Sequence, residues 1–187
     1  MRRTVLQRLP EAIETLTTGV GSAAAWLYPV LVAVMIVNVV LRYGLGRGFI
    51  ELEELQWHLY AAAFLLGFAY TYAADEHVRV DLLHARFSRR TRAWIELLGS
   101  VLLLLPFAWI TTISAFDFFW QSYQLGERSP MPSGLPWRFV IKGVLFAALG
   151  LLLLQAVATA LRQVGILWPG EAEADGRGVG PSDVPEP

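Results

Sequence analysis

Of the 187 residues, 55% are hydrophobic and only 17% are charged, well under the quarter or so that a soluble domain of this size carries. That excess of apolar surface needs an apolar solvent. A formal net charge of −1, with arginines scattered at segment ends, excludes the basic stripe of a nucleic-acid binder, and the absence of cysteine excludes disulfides, thiolate metal sites and thiol catalysis.

In chain order, residues 1–19 read as a cytoplasmic N-terminal segment. Leu6, Leu9, Ile13 and Leu16 recur at helical spacing, which predicts an amphipathic surface helix over residues 5–18 with Pro10 in its first turn. A membrane domain follows over residues 20–162. A bilayer core about 30 Å thick takes roughly 20 helical residues. Four apolar stretches meet that length, at about 20–41, 52–74, 93–120 (interrupted only by Pro106) and 135–161. Backbone groups in hydrocarbon must bond internally, so each is expected to be a helix, whereas barrel strands would be shorter and alternating. The first is too long for the core of a cleaved signal, and its Ala23-Ala24-Ala25 run lies at the start of the apolar stretch, not after it, so it reads as a retained anchor. The expected fold is therefore an all-α integral membrane protein with four transmembrane helices. Residues 163–187, rich in Pro, Gly, Glu and Asp, read as a disordered cytoplasmic tail.

Orientation follows from the cations. Arg2, Arg3, Arg8, Arg79, Arg86, Arg89, Arg90, Arg92, Arg162 and Arg177 fall on one side of the four spans. Arg42, Arg47, Arg128, Arg138 and Lys142 fall on the other. The positive-inside rule puts both termini and the second connection in the cytoplasm. Most of the seven tryptophans lie near segment borders, where amphipathic rings favour the bilayer interface.

Several polar groups stand out. Glu51, Glu53 and Glu54 open the second span, followed by Gln56, Trp57 and His58. A helix dipole favours acids there, but three exceed what one helix start needs. The sharper reading is a face, shared by Glu54 and His58 one turn apart, that meets a partner's cations or lipid amines. Zinc would need ligands that this neighbourhood lacks. In the second connection, Val80, Leu83 and Phe87 form an apolar stripe. This suits a short amphipathic helix at the interface between spans two and three; a solvated loop is the alternative. Ser88 then caps the third span. His77 and His84 lie outside the spans and His58 alone lies within one, which argues against bis-histidine haem ligation. Asp117 is the one acid well within a span, suited to pairing with a neighbouring helix or subunit, with a transport or proton-relay role as the alternative. The third connection, with Pro130, Pro132 and Pro136, reads as a stiff, extended segment, with Pro136 near the start of the fourth helix. The Gly44–Gly48 turn precedes no sheet and is not a nucleotide site. Nothing forms a nucleophile with a base or a paired-carboxylate active site; no enzyme, metal or cofactor is expected.

Two stretches together resemble the small membrane subunit of tripartite ATP-independent periplasmic (TRAP) transporters, the DctQ-like family. One is Glu53-Glu54-Leu55-Gln56-Trp57-His58-Leu59-Tyr60, through Leu66-Gly67 and Tyr70, to His77-Val78-Arg79-Val80-Asp81. The other is Glu127-x-Ser129-Pro130-x-Pro132-x-Gly134-Leu135-Pro136-x-Arg138-x-x-Ile141-Lys142. Ser133 stands where relatives often have a second glycine. The resemblance covers about residues 20–162. It implies a multi-pass protein of the bacterial inner membrane. Its role would be a non-catalytic scaffold for a large elevator-type subunit in sodium-coupled, binding-protein-dependent uptake of an organic acid. The implied partners are that large multi-span subunit, a periplasmic solute-binding protein and membrane lipids. Residues expected at partner or lipid interfaces are Glu53, Glu54, Trp57, His58, Arg79, Asp81, Asp117, Pro130, Pro132, Pro136, Arg138 and Lys142. The alternatives are the small subunit of a tricarboxylate-type tripartite transporter and a haem-carrying redox anchor.

Overall fold

The computed structural model describes residues 2–74 and 87–168. Among the described residues every regular element is helical: α1 (Arg2–Ala25), α2 (Leu27–Gly44), α3 (Ile50–Ala73), α4 (Arg89–Gly99), a π-turn (Ser100–Leu104), α5 (Leu105–Gln124) and α6 (Phe139–Leu167). Three helical runs among the described residues are long and apolar enough to cross a membrane: Arg8–Gly44, Arg90–Gln124 and Phe139–Leu167. The second expected span, α3, has the length, at 24 residues, but Gln56, His58 and three tyrosines dilute its apolar character below theirs. The expected interfacial helix after α3, with Arg79 and Asp81, lies outside the described residues, as does the tail beyond Trp168.

The first span differs from the expected single helix. Pro29 has no N–H to return to the Ala25 carbonyl, and its ring crowds that carbonyl. α1 accordingly ends at Ala25, and Trp26 N–H bonds back three residues to Ala23 O at 3.2 Å before α2 begins. Nor is the N-terminal helix a separate surface element. It begins at Arg2 and takes Pro10 into its interior, not its first turn. Its packed face is the seam Pro10, Ile13, Thr17, Gly21 and Ala24, all buried. Leu9 and Leu16 of the expected stripe point away, 44% and 50% exposed. Small residues won this face because α1 packs against α3 and α6, where close helix approach outweighs bulk. At Gly21 a Cβ would lie 2.3 Å from Tyr70 Cβ.

The third run is continuous from Arg89 to Gln124. Ser88 caps it, its Oγ accepting the Thr91 N–H at 3.2 Å. Pro106 cannot donate to the Leu102 carbonyl; the chain absorbs this one turn earlier, where Leu105 N–H reaches five residues back to Ser100 O. α5 then turns Ala108, Ala115 and Ser122, one residue per heptad, toward α6.

α6 sits centrally, touching α1, α3, α4 and α5. It starts at Phe139, not at the expected residue 135, because Trp137 has φ 67°, outside helical space. It also runs past the expected end to Leu167, since Arg162 is ion-paired with Glu14 of α1 and need not stop the helix. The Tyr72 hydroxyl lies 3.4 Å from Ser100 Oγ, tying the end of α3 to the π-turn.

Candidate interaction site

Among the described residues, one set of polar groups gathers where α3 begins, α5 ends and α6 begins. α5 closes in a Schellman arrangement: Gly126 takes φ 56°, its N–H bonds to Tyr123 O, and Glu127 N–H bonds to Ser122 O, both at 3.1 Å. The connection that follows was expected to be extended. Instead it closes on itself. Ser129 N–H donates to Leu135 O (3.2 Å), Gly134 N–H to Met131 O (3.1 Å) and Arg138 N–H to Glu127 O (3.1 Å). Pro130, Pro132 and Pro136 lack donors, so the few remaining N–H groups carry the loop's bonds, and the prolines themselves stay exposed.

Glu54 clasps this loop from α3. Its Oε1 accepts the Ser129 hydroxyl, and its Oε2 accepts the Leu135 N–H at 2.6 Å. One carboxylate thus pins both limbs of the turn. Met131 N–H also donates to Ser129 Oγ, at 3.2 Å. Gly134 is what lets the two limbs meet: a Cβ there would lie 2.2 Å from Ser129 Oγ and 2.9 Å from Glu54 Oε1.

A second cluster lies alongside. Glu127 pairs with Lys142 through Oε2, and Arg138 Nη1 stands 3.9 Å from its Oε1. The Lys142 ammonium also sits 3.7 Å from the centre of the Phe118 ring, a cation–π placement. The hydrogen bond from Lys142, and then the nearby charges of Lys142 and Arg138, hold the Glu127 carboxyl below its ordinary range. At the same end Arg42 pairs with Glu53, tying α2 to α3.

Of the residues singled out in the sequence, the fold brings Glu54 onto the loop bearing Pro130, Pro132 and Pro136, and gathers Arg138 and Lys142 around Glu127. His58 does not meet the Glu54 carboxylate; its Nδ1 lies 2.7 Å from the Glu54 backbone carbonyl. Trp57 is 71% exposed. Asp117 faces outward from α5, away from these clusters. Arg79 and Asp81 lie outside the described residues. Sequence reasoning did not single out Arg42, Glu127, Ser129 and Gly134 as interaction residues. The available signal was the surplus of acids at the α3 start, which needed counterparts somewhere in the chain.

No curated protein and no solved structure matches this chain. Residues 31–165 match the family model described as "Tripartite ATP-independent periplasmic transporters, DctQ component". That match takes in α2 to α6, including the Glu54 clasp and the Glu127 cluster, and extends over more than two thirds of the chain, which therefore belongs to the DctQ family, the small membrane components of TRAP transporters.

Proposed function

We propose that this chain is a static, non-catalytic scaffold with four spans and both termini in the cytoplasm. It holds a large elevator-type subunit that takes up an organic acid with sodium, delivered by a periplasmic binding protein. The observation that carries the reading is where the charge goes. Arg42–Glu53, the Glu54 clasp and Glu127–Lys142 tie up one end of the bundle, and Glu14–Arg162 ties α1 to α6 elsewhere. Between them the helix contacts are lined by Ala63, Ala69, Ala108, Ala115, Ala148 and Ala156, all buried. The buried polar side chains among the described residues are Thr17, Asn38, Ser100, Ser122 and Gln155, none of them charged, so the interior holds no buried cation to draw an anion through.

The position of α3 supports four spans. Its start is bound to the α5–α6 loop, its end to the π-turn, and its length packs against α6, which favours a course through the same layer as α6. The excess of cations on the side of the termini supports their cytoplasmic placement. The family match favours this reading over a tricarboxylate-type small subunit, and the presence of one histidine alone, His58, within the expected spans weighs against a bis-histidine haem anchor.

Co-expression with a TRAP large membrane subunit tests the scaffold role. Purification in mild detergent should recover the two together. A chain that emerges alone, while the large subunit remains folded and active without it, contradicts the reading.

A further inference from the structure

On the basis of the scaffold reading, we infer that the outward face of α5 is the seat for a membrane helix of the large subunit, and that this helix carries a lysine or arginine opposite Asp117. Phe107, Ile110, Ser114, Asp117, Gln121 and Gln124 follow one another at intervals of three and four residues and share one face, opposite the Ala108–Ala115–Ser122 face that meets α6. All six are exposed in this chain, Phe107 and Ile110 at 58% and 63%. The stripe changes character along its length, apolar toward mid-helix and amide- and acid-bearing toward the loop.

Charge complementarity identifies the occupant. Asp117 has no ion-pair or hydrogen-bond partner among the described residues. It lies seven residues from the end of α5, which is about 10 Å along the axis. The neighbouring residue shows how this protein treats a charge at that depth. Lys142, against the Phe118 ring, keeps 14% of its side chain exposed and is paired with Glu127. Asp117, on the other side of the same helix, is left open, and an unpaired carboxylate facing hydrocarbon is costly. Acyl chains supply no counter-charge, and lipid amines sit at the surface, two turns away. A second copy using the same face across a twofold would set Asp117 against Asp117. A helix from a different subunit with a cation at this level satisfies the acid, while the glutamine amides and Ser114 supply further interhelical donors and acceptors.

The chain has no cysteine, so single cysteines carrying a benzophenone can be placed at Ile110, Ser114 and Gln121, with Leu102 and Trp109 as exposed controls, in the complex with the large subunit. Stripe positions should cross-link to the large subunit about tenfold more than the controls. Asp117→Asn should lower retention of the large subunit by at least tenfold, in the direction expected when a buried pair loses one member, and Asp117→Glu should keep it. Because Asp117 has no partner among the described residues, the melting temperature of the isolated Asp117→Asn protein should match the parent's. Cross-links only to lipid or to a second copy, or unchanged retention in Asp117→Asn while the complex is intact, overturn the inference and leave the scaffold reading standing. Failure of the unaltered chain to hold the large subunit overturns both.

Discussion

Glu54 shows most directly how a single side chain organises this protein. Its two oxygens serve a hydroxyl and a backbone N–H on opposite limbs of one loop, 75 and 81 residues away in sequence. Glu54→Ala should therefore lower the melting temperature in detergent and raise proteolysis between residues 127 and 138. Gly134→Ala forces a methyl group into the same junction and should destabilise by about 1–3 kcal/mol, the usual cost of overpacking. The two act on one network, so the double variant should lose less than the two losses combined; strict additivity would show that the clasp is not a unit. Glu127 contributes to the pH dependence. Its carboxyl is held below the ordinary value of 4.5, so its contribution is fully present above that value and is lost as pH falls through the depressed folded value. Unfolding followed from pH 6 downward should show a loss beginning below about 4.5 that Glu127→Gln reduces. An identical acid limb in both proteins counts against the Glu127 cluster. At this scale the sequence exposed only half of each contact. A surplus acid is visible at the start of α3 and a proline-rich loop is visible before α6, but neither says that the two meet.

Helix boundaries follow from proline chemistry and from packing, and the two were unequally legible. The apolar stretches announce helices, and each is helical. The break at Trp26 and the π-turn are local consequences of Pro29 and Pro106 and could have been read from the missing donors. The late start of α6 could not, since it depends on Trp137 holding a left-handed φ within a loop fixed from α3. The packing of α1 was hidden for a related reason. The apolar stripe Leu6, Leu9, Ile13 and Leu16 suggests a surface helix, but contact with α3 and α6 selects the small-residue face instead. That contact rests on Gly21. Gly21→Leu should push α1 off α3 and lower stability by roughly 1–3 kcal/mol, the overpacking range. Tyr70→Ala in the same protein should restore part of the loss, as thermal unfolding of the three variants would show. No recovery would mean that Gly21 matters for a reason other than the Tyr70 contact.

As a DctQ component the chain is a multi-pass protein of the inner membrane that works within a TRAP complex with a large membrane subunit and a binding protein. Its described surface suits that setting, with Val32, Ile36, Val40, Leu102 and Leu103 turned outward and alanines turned inward, the inverse of a soluble bundle. Orientation has its own test. A cysteine near Pro187 should be protected from an impermeant maleimide in intact spheroplasts, and one at Ser133 should react; the reverse pattern would invert the proposed topology.

The central claim is that this chain supports transport without performing it. Uptake into sodium-energised proteoliposomes, with the binding protein supplied outside, measures that directly. Vesicles holding both membrane subunits should accumulate the acid, and vesicles holding this chain alone should stay at the background of empty ones. Uptake by this chain without the large subunit would contradict the account.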